Sequence, residues 1–150
     1  MRELLLFCED SFHENFVVPI IRRIAEDQAL SPAIKVASSV GGLPKLVGEF
    51  KDLLREVARM KSSPPECIVV VADANCLGHN ERKNLFVDMI RNHHPGFEQI
   101  GYAAQLGGQE WAEDVAGAMD LTRAEIAEAS FGLFTKAIRG RFAAWKTSAH

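Results

Sequence analysis

Residues 67–75 read Cys-Ile-Val-Val-Val-Ala-Asp-Ala-Asn, and this stretch limits the chain to few folds. Five consecutive apolar residues from Ile68 to Ala72, mostly β-branched, predict a strand buried on both faces, as in the middle of a parallel sheet. The run passes directly into Asp73, with Asn75 two residues on. In open α/β sheets, ligands bind beyond the carboxyl ends of the strands, where loops carry polar groups. Leu4-Leu5-Leu6-Phe7-Cys8 repeats the pattern and ends in Glu9-Asp10. Two buried strands that each end in acid predict one acidic site, provided that they are neighbours.

The remaining segments supply what such strands require. Phe12, Phe16, Val17, Ile20, Ile21 and Ile24 recur at helical spacing, with Ser11 as the expected N-cap and Glu14 as its capping-box partner. Pro19 falls inside that pattern and predicts a kink or a late helix start. Ala33–Ala37 reads as a second strand. After the turn Ser38-Ser39-Val40-Gly41-Gly42, a second helix turns Leu43, Leu46, Val47, Phe50, Leu53, Leu54 and Val57 inward. Ser62-Ser63-Pro64-Pro65 stops it. A third helix runs from Glu81 to about Asn92, with Leu85, Phe86, Met89 and Ile90 inward, and His94-Pro95-Gly96 ends it. Glu98–Ala104 is a weaker fourth strand.

Gly107-Gly108 then introduces a helix carrying Trp111, Val115 and Met119. The capping box Thr122-Arg-Ala-Glu125 opens a last helix with Phe131, Phe134, Ile138, Phe142 and Trp145. The order β-α-β-α-β-α-β-α-α predicts an α/β fold: a small, mostly parallel sheet of about four strands with helices on both faces. No linker or repeat divides the 150 residues, so one domain is expected, with an α/β core over 1–104 and C-terminal helices over 107–147. The aromatic C-terminal helix offers packing for the core or for a homodimer.

A formal net charge of −3 gives no overall attraction to nucleic acid or anionic membrane, so polyanion binding requires a local patch or a metal ion. No apolar run approaches the ~18 residues of a membrane span. The N-terminus meets acid too soon for a signal peptide. Three cysteines (Cys8, Cys67 and Cys76), odd in number and without metal-site spacing, suit a reducing cytoplasm.

The candidate chemistry is carboxylate chemistry. Glu9, Asp10, Asp73 and Asn75 present hard oxygen ligands that suit Mg²⁺ or Mn²⁺. A metal held there orients a phosphate and activates a water, and the remaining glutamate serves as acid or base. Lys45, in Gly41-Gly42-Leu-Pro-Lys45, is a candidate phosphate contact, although a plain turn into a helix accounts for the same residues. Arg82 and Lys83, just after His79, are candidate contacts to a phosphate backbone or a solvated helix face. Cys76-x-x-His79 with His93-His94 fits no standard zinc spacing.

The pattern strand-Glu9, helix, strand, helix, strand-Asp73-x-Asn75 resembles the TOPRIM domain of topoisomerases, primases and the OLD-type and RloB-like nucleases of bacterial defence. Asp73-Ala-Asn-Cys-Leu-Gly-His-Asn-Glu-Arg-Lys83, Gly107-Gly-Gln-Glu-Trp-Ala-Glu-Asp114 and Ala129-Ser-Phe-Gly132 look like an uncharacterised bacterial TOPRIM-like group. The resemblance covers roughly residues 3–104. It implies that Glu9 takes the family's glutamate role, in acid–base chemistry or metal binding. Asp73 and Asn75 then stand at the metal-binding aspartate pair. The function it implies is Mg²⁺-dependent cleavage of phosphodiesters in nucleic acid, in the setting of phage defence.

Two departures matter. Asn75 replaces a carboxylate and lowers the charge available to a metal. The connection Tyr102-Ala-Ala-Gln-Leu106 is too short for the acidic-aromatic segment that the resemblance leads one to expect. Both favour an alternative, a non-catalytic interaction or regulatory domain that keeps the fold. A receiver-like module, with Asp73 as phosphoryl acceptor, is a third reading, but it requires a fifth strand ending in lysine.

Overall fold

In the computed structural model of the chain, residues 2–60, 64–72, 79–93, 99–103 and 112–148 are described. They form β1 (Glu3–Cys8), α1 (Ser11–Asp27), β2 (Ala33–Ser38), α2 (Gly42–Arg59), β3 (Cys67–Ala72), α3 (His79–His93), β4 (Gln99–Ala103), α4 (Ala112–Ala118), α5 (Leu121–Ala127) and α6 (Ala129–Thr147). The strands make one sheet in the order β2-β1-β3-β4, and every neighbouring pair is parallel. The expected α/β fold with helices on both faces is the observed one.

Strand alternation divides the core into two layers. Leu4, Leu6 and Cys8 of β1 and Cys67, Val69 and Val71 of β3 point to the face covered by α1, α4, α5 and α6. Leu5 and Phe7 with Ile68, Val70 and Ala72 point to the face covered by α2 and α3. On that second face Phe50 stands between Phe7 (4.9 Å between ring centroids) and Phe86 (5.2 Å, edge to face). All six residues of β3 are buried, whereas edge strand β2 is largely half-buried or exposed.

Several local expectations are corrected by packing. Helix α1 begins at Ser11 and runs on past Pro19, so there is no late start. The hydrogen bond that Pro19 cannot donate is offset by burial of Val17, Ile20, Ile21 and Ile24. Its N-cap is Asp10, one residue before the expected Ser11, and the Asp10 side chain accepts from the His13 N–H. The last stretch is two helices: Asp120, in place of Thr122, caps α5, and Glu128 caps α6. The break allows close approach, since a Cβ on Gly132 would lie 2.8 Å from the Glu125 carbonyl oxygen. Phe131, Phe134, Ile138, Phe142 and Trp145 all face the sheet, so the aromatic stripe is buried within the chain and not presented to a second copy. No helix among the described residues is long and apolar enough to cross a membrane.

Candidate functional site

The site follows from where the chain leaves the two central strands. From β1 it passes into α1, on one face of the sheet; from β3 it proceeds to α3, on the other. β1 and β3 are adjacent and parallel, and the helices that follow them, α1 and α3, cover opposite faces of the sheet. Such a switch point is where open α/β sheets bind ligands.

Glu9 stands at that point. Its N–H donates to the Val71 carbonyl at 2.9 Å, which extends the β1–β3 ladder past Cys8 and places Glu9 beside Ala72, the last residue of β3. Asp73 follows Ala72 by one peptide in the sequence. Asp73, Asn75 and Cys76 lie outside the described residues, as do the side chains of His79 and Arg82. The structure therefore brings Glu9 to the end of β3, and the proximity of strands one and three, on which a joint acidic site depends, is present.

Asp10 is engaged in the start of α1. Its Oδ1 accepts from the His13 backbone N–H at 2.9 Å and lies 2.7 Å from His13 Nδ1. His13 is 4% exposed, so this carboxylate holds a buried ring as well as a helix terminus. Across the face, Ser38 Oγ donates to Glu14 Oε2 at 2.8 Å and ties the end of β2 to α1. Glu9, Asp10 and Glu14 make this end negative. The Cys8 thiol registers the field: burial pushes its pKa far up, and Glu14 and then Asp10 push it further.

Lys45 lies in the first turns of α2, with its Nζ donating to the Val40 carbonyl at 2.6 Å and 3.5 Å from Glu49 Oε1. Its side chain thus lies back across the turn that leads into α2. Lys83 is exposed near the start of α3, on the same edge of the sheet. Among the described residues, no three of His, Cys, Asp and Glu converge as a metal-binding group.

Two groups escaped the sequence reading. His13 is a polar residue on an apolar helix face, three residues after Asp10, and that spacing is the signal that could have found it. Ser39 is 1% exposed and its Oγ has no hydrogen-bond partner. Strand alternation past Ala37 would have turned it inward. Comparisons of the chain with protein families, with curated proteins and with solved structures returned no match.

Proposed function

We propose that this chain is a TOPRIM-like, Mg²⁺- or Mn²⁺-dependent phosphodiester-cleaving domain that acts on nucleic acid, in the setting of phage defence. The observation that carries the reading is the switch point: Glu9 reaches the end of β3 in register, one peptide from where Asp73 begins. The donors are all oxygen, carboxylates from Glu9 and Asp73 and the amide carbonyl of Asn75, and this set suits a hard cation. Glu14 and Asp10, whose charges oppose ionisation of the buried Cys8 thiol, also favour a cation at the same edge.

A bound divalent ion supplies Lewis acidity toward a phosphoryl oxygen and a water of lowered pKa. The chain's own residues do the rest. Glu9 holds or moves a proton at its carboxylate, while Asp10 is retained by α1 and His13 and keeps the loop after β1 in place. Arg82 and Lys83, near the start of α3, are the proposed contacts to a phosphate backbone beyond the metal.

Calorimetric titration of Mn²⁺ tests this directly. The wild type is expected to bind with heat that disappears in Glu9→Gln and in Asp73→Ala, both of which keep the wild-type circular dichroism spectrum. Retained affinity in either variant would overturn the site. A wild type that binds no millimolar Mn²⁺ would leave the non-catalytic interaction domain, which the neutral Asn75 favours. The receiver-like reading gains nothing, because the described residues after β4 are helical.

A further inference from the structure

We propose that the end of β2 and the N-terminus of α2 form a phosphate-binding subsite, built from Ser39 Oγ, the backbone N–H groups of Gly41, Gly42 and Leu43, and the Lys45 ammonium. As a seat for a substrate phosphate it rests on the function proposed above; as an anion site it stands without metal.

The carrying observation is an unpartnered hydroxyl. Ser39 is 1% exposed and its Oγ makes no hydrogen bond, an arrangement that is destabilising and uncommon in folded proteins. The direction of the side chain follows from the strand. Ser38 Oγ bonds Glu14 on the α1 side, and the Ser39 N–H still bonds the Cys8 carbonyl at 2.9 Å, so the ladder's alternation continues. Ser39 therefore points to the face that carries α2, three residues before that helix begins.

The start of α2 offers the complementary donors. Its N-cap, Gly41, provides no side-chain hydrogen bond, and its first turn has no acidic residue. Helix geometry leaves the N–H groups of Gly41, Gly42 and Leu43 without intrahelical acceptors, and Pro44 has none to offer. Gly41 and Gly42 have φ of 131° and 78°, a region that residues with a Cβ rarely enter, so glycine is what lets the chain make this entry into α2. The Lys45 side chain lies across this turn, so that a Cβ on Gly41 would stand 2.9 Å from Lys45 Cδ. Its ammonium rests on the Val40 carbonyl, a neutral acceptor that a phosphate oxygen can replace with a stronger, charge-assisted bond.

The position suits a substrate of the neighbouring centre. The Ser39 N–H bonds Cys8, and the next residue is Glu9. Glu9, Asp10, Glu14 and Glu49 all oppose a free anion here, so binding to metal-free protein should be weak, with a dissociation constant on the order of millimolar.

The test is a titration of chelator-treated, ¹⁵N-labelled full-length protein with inorganic phosphate, against chloride at matched ionic strength. Saturable shifts are expected at the amides of Gly41, Gly42 and Leu43. Ser39→Ala and Lys45→Met should each weaken them about tenfold, the loss of one bond to a charged group. Ser39→Ala should also melt no lower than wild type, because it removes an unpaired buried group and nothing that holds the fold. The subsite is overturned by the absence of saturable shifts at those amides, by wild-type phosphate affinity in both variants, or by a lowered melting temperature of Ser39→Ala. Mn²⁺ binding lost in Asp73→Ala with no phosphate response would remove this inference alone. A phosphate response without any Mn²⁺ binding would remove the metal centre and leave the anion site.

Discussion

The two ends of the sheet use their charged groups in different ways. At the amino end, charge is paired. Arg2 contacts Glu66 ahead of β3 and reaches the C-terminus of α6 through Ser148 Oγ (2.6 Å) and the Trp145 carbonyl (3.4 Å). Glu3 pairs with Lys35 across β1 and β2 at 2.8 Å. At the carboxyl end, Glu9, Asp10 and Glu14 follow one another closely in the chain; Asp10 holds His13 and the start of α1, and Glu14 accepts from Ser38. The buried thiols report the contrast. At Cys8, carboxylates add to the effect of burial; at Cys67, burial pushes the thiol up to about 11 while Arg141 works against it. The lesson is one of division: one end closes the fold with opposite charges across its strands, and the other gathers carboxylates beside a helix start and a buried thiol.

The largest expected effect on stability is alkaline. Both thiols are raised above the ordinary value, so the unfolded chain ionises first as pH rises. Stability is fully present below pH 9.0 and is lost as pH rises toward and through the folded value, about 11 for Cys67. Cys67 should account for about 2–3 kcal/mol of that loss. Urea unfolding from pH 8 to 11 should show the decline, and Cys67→Ala should reduce it by about half, leaving the share of Cys8. In native protein carrying Cys76→Ser, thiolate absorbance should appear for Cys67 before Cys8. Simultaneous ionisation of the two would break the contrast between the ends.

A smaller effect is expected at Asp10. Asp10→Ala removes the cap of α1 and the partner of a buried ring, and should cost about 1–2 kcal/mol in denaturant unfolding. Asp10→Asn keeps an acceptor for the His13 N–H and should cost less. It should also bring Cys8 ionisation to lower pH, because one of the carboxylates that raise it is gone. An unchanged Cys8 in that variant would show that Asp10 contributes nothing to its value.

The smallest effect belongs to the amino end. Arg2→Ala should destabilise the protein by about 1 kcal/mol, because the Arg2 and Glu66 side chains are both about one-third exposed. Hydrogen exchange should quicken at the end of α6, which Arg2 ties down, with Mn²⁺ titration unchanged. A loss of metal affinity in Arg2→Ala would mean that the two ends are coupled through the strands.

Most of the architecture was legible in the chain. β1 has the expected bounds, β3 lies where the apolar run placed it, and the buried faces of α1, α2 and α3 match their helical periodicity wherever those side chains are described. Alternation and periodicity are local, and deep burial leaves them little freedom. The caps were less legible. Asp10 and Asp120 took the cap roles expected for Ser11 and Thr122: each accepts from the N–H three residues on, of His13 and Arg123, so the helices begin one and two residues earlier. The break before α6 was hidden for a related reason: the approach of Gly132 to the Glu125 carbonyl involves two helices that the sequence presents as one.

The sequence by itself determined that β1 and β3 are buried strands ending in acid, and that helices must cover both faces of the sheet. Only the tertiary structure decided that those strands are neighbours, that α1 and α3 leave them on opposite faces, and that Glu9 reaches Ala72. It also decided that Ser39 turns inward without a partner and that the aromatic stripe of α6 meets the sheet. The reason is physical: a strand's pattern fixes which side chains are buried, while its neighbour is chosen by pairing between segments about sixty residues apart.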